Sequence, residues 1–363
     1  EPFSDIVIHG LVRAADGRKM SKSTGNAVDP FELADEYGAD ALRLALSQAA
    51  AQGHDIPLNV EWIDAARRFG NKLWNATRFV LANIEAGSVP AAGGYPDDPG
   101  PVDAWILSRL AAVVSEYDRL LDDYRFSDAI GLLYNYAWSE VFDWYLEMAK
   151  TSLRDPEQAA GTRRTLGVVL RDLIALFHPI IPYITEELWS ELVGRGMVAA
   201  ATWPAPPQAD APGGINELQD LVVAVRRFRA EHGLSPKRRI DLRVEDRDGL
   251  AAPWWVEQLA TMARVDADLS GTPDVLTGHT RLALGRIQAF IPLADLVDVA
   301  AERPRLEKAI AEAEQQLARS EGKLANPDFT SRAPEAVVTG ERRKVEEMTA
   351  KLDRLRSQLA ELG

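Results

Sequence analysis

Lys19-Met20-Ser21-Lys22-Ser23-Thr24-Gly25-Asn26 is a basic, hydroxyl-rich run between two unlike patterns. Upstream, residues 5–13 are β-branched and apolar enough for a strand, and Ala15-Asp16-Gly17 reads as the turn leading out of it. Downstream, Asp29 is a candidate N-cap, Pro30 suits a first helical position and Glu32 sits where a capping box places its acid. A helix is therefore predicted there, ended by Gly38, with a second short helix from Asp40 through Arg43. Gly53-His54-Asp55-Ile56-Pro57 reads as an extended connection. Two lysines on a short loop between a strand and a capped helix suit an anion, and Gly25 leaves the loop free to move. A solvated basic loop without a role is the competing reading of such a run taken alone.

Outward from this segment the pattern becomes helical. Trp62, Ala66, Phe69, Leu73, Ala76 and Val80 recur at spacings of three and four and predict one buried stripe. Further helices are predicted over 103–123, 127–153 and 156–177, then a shorter one after Pro182 through Leu192, giving an α-helical bundle. Gly93 to Pro101 reads as a loop, and Thr202 to Gly214, rich in Pro, Ala and Gly, as a linker. Beyond it, Ile215 to His232 has helical periodicity ended by Gly233. Ile240, Leu242 and Val244 alternate as in a strand, and 281–299 reads as two strands around Gly285, so a small α/β module is expected. In the tail, Leu306, Ile310, Ala313, Leu317, Ser320 and Leu324 form one heptad series, and Val345, Met348, Leu352, Leu355, Leu359 and Leu362 another. The two prolines within 325–334 break the helix, so the series are predicted to fold back as an antiparallel coiled-coil hairpin. The fold class is mainly α, over segments 1–60, 61–201, 202–300 and 301–363.

Composition excludes several classes. The chain has 363 residues, enough for two or three domains, and no apolar run long enough to span a bilayer. The expectation is a cytoplasmic protein without membrane contact. Without cysteine there is no disulfide, thiol nucleophile or Cys-based zinc site, and five scattered His predict no structural metal. A net charge of -14 argues against indiscriminate nucleic-acid coating, though a local basic face remains compatible with it. The start at Glu1 without Met predicts a piece of something longer.

Lys19 to Ser23 matches the KMSKS signature of class I aminoacyl-tRNA synthetases, and a five-residue string arises by chance in a chain of this size about once in ten thousand. The resemblance extends over essentially the whole chain and is strongest to the valyl enzymes. It rests on Ile8-His9-Gly10-Leu11-Val12, the run from Phe69 to Phe79, the run from His178 to Trp189, the segment Arg226 to Glu231, and the hairpin turn around Leu324 to Phe329 and Ala333 to Val338. His54 departs from the Gln of many relatives. The resemblance implies the end of a class I, Rossmann-type catalytic domain, an anticodon-binding bundle and a tRNA-binding coiled-coil arm. It implies ATP with Mg2+, valine and tRNA-Val as the full enzyme's substrates and partners, with a monomer expected although a heptad hairpin can also pair. On this basis Lys22 and Lys19 are the catalytic cations that meet charge growing on pyrophosphate, and Ser21, Ser23 and Gly25 complete the ATP loop. The second class I signature, of the His-x-Gly-His type, is absent from the chain, so the amino-acid pocket is expected upstream and the chain alone is not expected to activate valine. A non-catalytic tRNA-binding fragment and an isoleucyl enzyme are the alternatives. Typical isoleucyl enzymes carry a cysteine-ligated zinc.

Candidate tRNA contacts are the cations of the helix from Glu61, namely Arg67, Arg68, Lys72 and Arg78, beside Asn71 and Asn75. A solvated face fits them equally. Phe79 suits stacking on an unpaired base or a place in the core. Arg226, Arg227 and Arg229, followed by Lys237, Arg238 and Arg239, form a second basic cluster. The aromatics Tyr134, Tyr136, Trp138, Phe142, Trp144 and Tyr145 read as bundle core in preference to a stacking platform.

Overall fold

Two compact units divide the chain between Gly213 and Gly214, at the end of the Pro- and Gly-rich stretch. The computed structural model describes residues 3–21, 23, 25–206, 209–235, 237–275, 278–293, 299–326 and 335–361.

In the first unit the strand expected over 5–13 is realised only as β1 (Val12–Arg13), paired in parallel with β2 (Ile56–Pro57). Ile6 and Ile8 are 85% and 79% exposed, so the first part of this run lacks the burial that would extend the strand. Asp29 caps α1 (Pro30–Tyr37) by accepting the Phe31 N–H at 2.8 Å. No reciprocal bond from Glu32 occurs among the described residues, so this is a single cap and not a capping box. Gly38, at φ 94°, separates α1 from α2 (Ala39–Ala49), which runs well beyond Arg43.

Asn59 caps α3 (Val60–Leu81), whose buried side is Ile63, Ala66, Phe69, Leu73, Ala76, Thr77 and Val80. Trp62 is 42% exposed, so the predicted stripe is out of phase by one residue at its start. Spacings of three and four join either residue to Ala66, and periodicity alone does not choose between them. The bundle continues with α4 (Pro101–Asp122), α5 (Phe126–Asn135), a π-helical segment (Tyr136–Tyr145), α6 (Leu146–Ser152), α7 (Ala159–Phe177) and α8 (Pro182–Val193). The helix predicted over 127–153 is thus continuous but widened in its middle. That predicted from Pro156 starts at Ala159, because Asp155 turns the chain by accepting the Glu157 N–H at 2.9 Å. Phe69 packs against Tyr134 and Phe177 at ring-centroid distances of 4.8 and 4.9 Å, and burying such a side chain contributes about 2–3 kcal/mol.

The core also holds a carboxylate. Asp103 is 1% exposed and accepts from the Tyr145 hydroxyl and from Thr162 Oγ1, both at 2.7 Å. Burial pushes its pKa up to about 6 against the pull of these two donors. Of the six aromatics read as core, Tyr136, Phe142 and Tyr145 are buried, whereas Tyr134, Trp138 and Trp144 are half-buried. At the other end of the bundle, Asp40 accepts the Tyr183 and Ile184 N–H groups at 3.3 and 2.7 Å, covering the N-terminus of α8. One turn on, Arg43 donates to the Pro179 and Ile180 carbonyls at 2.9 and 2.8 Å. These four bonds fasten α2 to the corner between α7 and α8.

The second unit opens with α9 (Ile215–Glu231), then β3 (Ile240–Asp246), α10 (Trp254–Met262), β4 (Val265–Asp268), β5 (His279–Leu284) and β6 (Ile287–Pro292). The sheet order is β4-β3-β6-β5, with β3 and β4 parallel and the other pairs antiparallel. The α10 crossover and β4 were not foreseen. The β5–β6 hairpin around Gly285 lies over 279–292, earlier than the predicted 281–299. Two long helices follow, α11 (Val299–Ala325) and α12 (Glu335–Glu361). Ion pairs of Lys323 with Glu341 at 3.4 Å and of Arg356 with Glu314 at 2.7 Å run in opposite chain directions, so the helices are antiparallel. Leu306, Ala313 and Leu352 of the heptad series are buried. Of the predicted connection, 327–334 lies outside the described residues.

Candidate functional site

The lysine loop is closed on itself by Asn26. Its Oδ1 accepts the Ser21 N–H at 2.9 Å and its Nδ2 donates to the Lys19 carbonyl at 3.2 Å. Gly25, at φ 67°, makes the left-handed turn that brings Asn26 back. Ser21 Oγ lies 2.7 Å from Ser23 Oγ and accepts the Ser23 N–H at 3.2 Å. Lys19 and Ser23 are exposed and Ser21 is half-buried. Lys22, the principal catalytic expectation, lies outside the described residues, as does Thr24.

The base of the loop is anchored separately. The Ala14 N–H donates to the Arg18 carbonyl at 3.0 Å, and the Arg18 N–H to Asp16 Oδ1 at 3.0 Å. The Leu11 N–H donates to Asp55 Oδ1 at 2.8 Å while the Arg13 guanidinium pairs with Asp55 Oδ2. That backbone donor first, and then Arg13, hold the Asp55 carboxyl below its usual range. Gly10 lets the strands approach, since a Cβ there would sit 1.8 Å from the His54 carbonyl oxygen. Asp55 was read only as part of an extended connection, because no local pattern marks a carboxylate whose partners lie more than forty residues away.

On α3, Arg67, Arg68, Asn71, Asn75 and Arg78 are exposed on the side opposite the core. Arg68 pairs with Asp64, and Lys72 pairs with Asp143 with its ammonium 4.1 Å over the Trp138 ring. Among the described residues Arg67 and Arg78 make no ion pair. Trp74, 39% exposed on the same face, was not singled out from sequence. Phe79 is half-buried with the Lys150 ammonium 5.7 Å from its ring centre. A cleft of about 230 Å³, lined by Tyr37, Asp40, Arg67, Phe69, Asn71 and Ile184 among others, opens at the N-terminal half of α3.

The second basic cluster is divided. Arg226 and Arg227 are exposed, although Arg226 Nε also donates to the Met262 carbonyl at 3.1 Å. Arg229 is 7% exposed and donates to the carbonyls of Ala263, Arg264 and Ser235 at 3.4, 3.3 and 2.7 Å, and to that of Arg238. A guanidinium so buried and committed braces the backbone, and Arg229 is withdrawn from the tRNA candidates. Arg239 pairs with Asp266 at 2.5 Å.

Among the described residues no group of three or more His, Asp or Glu is placed to hold a metal ion, and no helix is long and apolar enough to cross a membrane. On the loop the amides of Ser21 and Ser23 are engaged internally, while the side chain of Lys19 is exposed.

Three families match in chain order. The family described as tRNA synthetases class I (I, L, M and V) covers residues 1–59, the anticodon-binding domain of tRNA ligase 103–245, and the valyl tRNA synthetase tRNA binding arm 298–363. Curated relatives named valine–tRNA ligase are similar over the whole length. That of Nocardia farcinica is 40% identical over 100% of the chain, that of Streptomyces coelicolor 38% over 99%, and that of Mycobacterium tuberculosis 39% over 99%. The chain spans 41% of the length of each. A solved Agrobacterium radiobacter LeuRS in ternary complex with tRNA and LeuAMS overlaps 69% of this chain and 27% of its own at 21% identity and a TM-score of 0.44. With the signature loop, the bundle and the antiparallel arm in this order, the chain belongs to the class I aminoacyl-tRNA synthetases and corresponds to the C-terminal portion of the valine–tRNA ligases.

Proposed function

We propose that the protein to which this chain belongs attaches valine to tRNA-Val at the expense of ATP, and that this chain supplies its signature loop and its tRNA-holding helices. The observation that carries the reading is whole-chain similarity to valine–tRNA ligases at 40% identity, with Lys19 and Ser23 of the signature exposed. In this proposal Lys19 and Lys22 meet the charge that develops on the departing pyrophosphate, and Ser21, Ser23 and Gly25 shape the loop around the ATP phosphates. Mg2+ would arrive on the nucleotide. When bound, it would neutralise phosphate charge.

The segments 1–60, 61–201, 202–300 and 301–363 are proposed as catalytic end, anticodon bundle, linker with small module, and tRNA arm. For the tRNA we assign Arg67 and Arg78 as phosphate contacts, since neither has a carboxylate partner among the described residues. Arg68 and Lys72 would have to exchange an aspartate for a phosphate. Arg226 and Arg227 form the secondary patch, and half-buried Phe79, next to Arg78 in sequence, joins the first. We propose a cytoplasmic monomer. The isoleucyl alternative is not favoured, because the relatives cited above are all named for valine.

Binding of the 363-residue chain to tRNA-Val, tRNA-Ile and an anticodon-substituted tRNA-Val, across a salt series, tests this. Preference for tRNA-Val that weakens on anticodon substitution is the expected result. Equal binding of all three would remove tRNA-Val recognition from these helices.

A further inference from the structure

We infer that Asn26 is a positioning residue of the lysine loop, its carboxamide fixing Lys19 and Ser21 in the conformation that receives the phosphates. The inference rests on the reading of that loop as a phosphate cradle. Its geometry is specific. The Lys19 carbonyl and the Ser21 N–H are the peptide groups on either side of Met20, and Asn26 donates to the first and accepts from the second. This is the pattern that one residue of a neighbouring strand gives in a parallel ladder. Here a single side chain supplies both halves, so Met20 is held as a residue in a parallel strand is held.

Few side chains meet this requirement. A donor and an acceptor must stand side by side at the end of a short stem, which asparagine provides, whereas aspartate lacks the donor and serine has one oxygen for both bonds. Gly25 contributes the approach, because its left-handed backbone turns the chain back over Met20, a conformation in which any other residue is strained. The bonds made by Ser21 and Ser23 to one another complete the turn from inside. Lys19, whose own carbonyl is clasped, thereby has its Cα and the root of its side chain held while its side chain stays exposed. A cation already held near its working position loses less freedom when it meets a phosphate.

The test compares the 363-residue chain with Asn26→Ala and Asn26→Asp. Residue-resolved hydrogen exchange follows the Ser21 amide, and calorimetric titration follows inorganic tripolyphosphate. In the wild-type chain the Ser21 amide is expected to be protected. Asn26→Asp keeps that protection, since a carboxylate oxygen still accepts, and Asn26→Ala loses it. Asn26→Ala, which leaves the charge unchanged, is expected to bind tripolyphosphate about tenfold more weakly, with helix content and thermal midpoint unaltered. A Ser21 amide that is unprotected in the wild-type chain, or equally protected in Asn26→Ala, overturns the clasp. Loss of protection without loss of tripolyphosphate affinity overturns the positioning role. If the wild-type chain binds no tripolyphosphate, the phosphate-cradle reading fails, and the exchange arm still decides the clasp.

Discussion

Replacing Asp103 by asparagine should change how the bundle responds to pH. In the fold this carboxyl is 1% exposed and its pKa stands at about 6 in place of 3.8, because burial penalises the charged form more than the Tyr145 and Thr162 hydroxyls favour it. Between these two values the unfolded chain gives up the proton while the folded chain keeps it. Folding is therefore most favoured below the unfolded pKa, and that advantage is lost as pH rises through the folded one. A shift of about two units at about 1.4 kcal/mol each makes the whole effect about 3 kcal/mol, of which about 2 kcal/mol falls between roughly pH 4.5 and 7.5. The amide that replaces the carboxyl does not titrate. Urea unfolding of the wild-type chain and of Asp103→Asn, followed by tryptophan fluorescence over that interval, should give a stability difference that moves by about 2 kcal/mol in the variant's favour as pH rises. A difference that stays constant within about 0.5 kcal/mol would refute the reasoning, since a buried, titrating Asp103 requires the slope.

Three further outcomes are expected. Gly10→Ala places a methyl 1.8 Å from the His54 carbonyl oxygen and should force β1 from β2, read as faster exchange of the Ile56 amide, whose acceptor is the Leu11 carbonyl. Arg229→Ala should destabilise the second unit by about 3 kcal/mol in thermal unfolding, by stranding buried carbonyls, while the folded protein keeps the wild-type salt dependence of tRNA binding. Arg78→Ala should weaken tRNA binding and lower the slope of log affinity against log salt by about one, whereas an unchanged slope would remove Arg78 from the phosphate contacts.

What the sequence disclosed depended on how local the determining physics is. The cap at Asp29, the stop at Gly38 and the heptads of α11 and α12 are settled by residues a few positions apart, and the structure has them. Trp62 was misplaced because the first turn of a helix has neighbours on one side only, so phase there is set by what packs against it. The π-helical stretch, β4 and the α10 crossover depend on partners far along the chain. Arg229 shows the same limit within the basic cluster. Three arginines in a run of four look alike, yet one is sealed in by carbonyls from 235 to 264. The basic loop was legible from its own residues, while the bonds of Asn26 to Lys19 and Ser21, and of Asp55 to Leu11 and Arg13, became visible only when donors and acceptors could be paired.

The helical hairpin has a mechanical consequence. Each of its helices has 27 residues, so at 1.5 Å per residue the arm is about 40 Å long. A tilt of about 10° at its root sweeps the far end through about 7 Å, more than the spacing of successive phosphates, which lie closer than that along a strand. For an arm that meets tRNA as proposed above, its tilt, more than any side chain at its far end, then sets which backbone position it reaches.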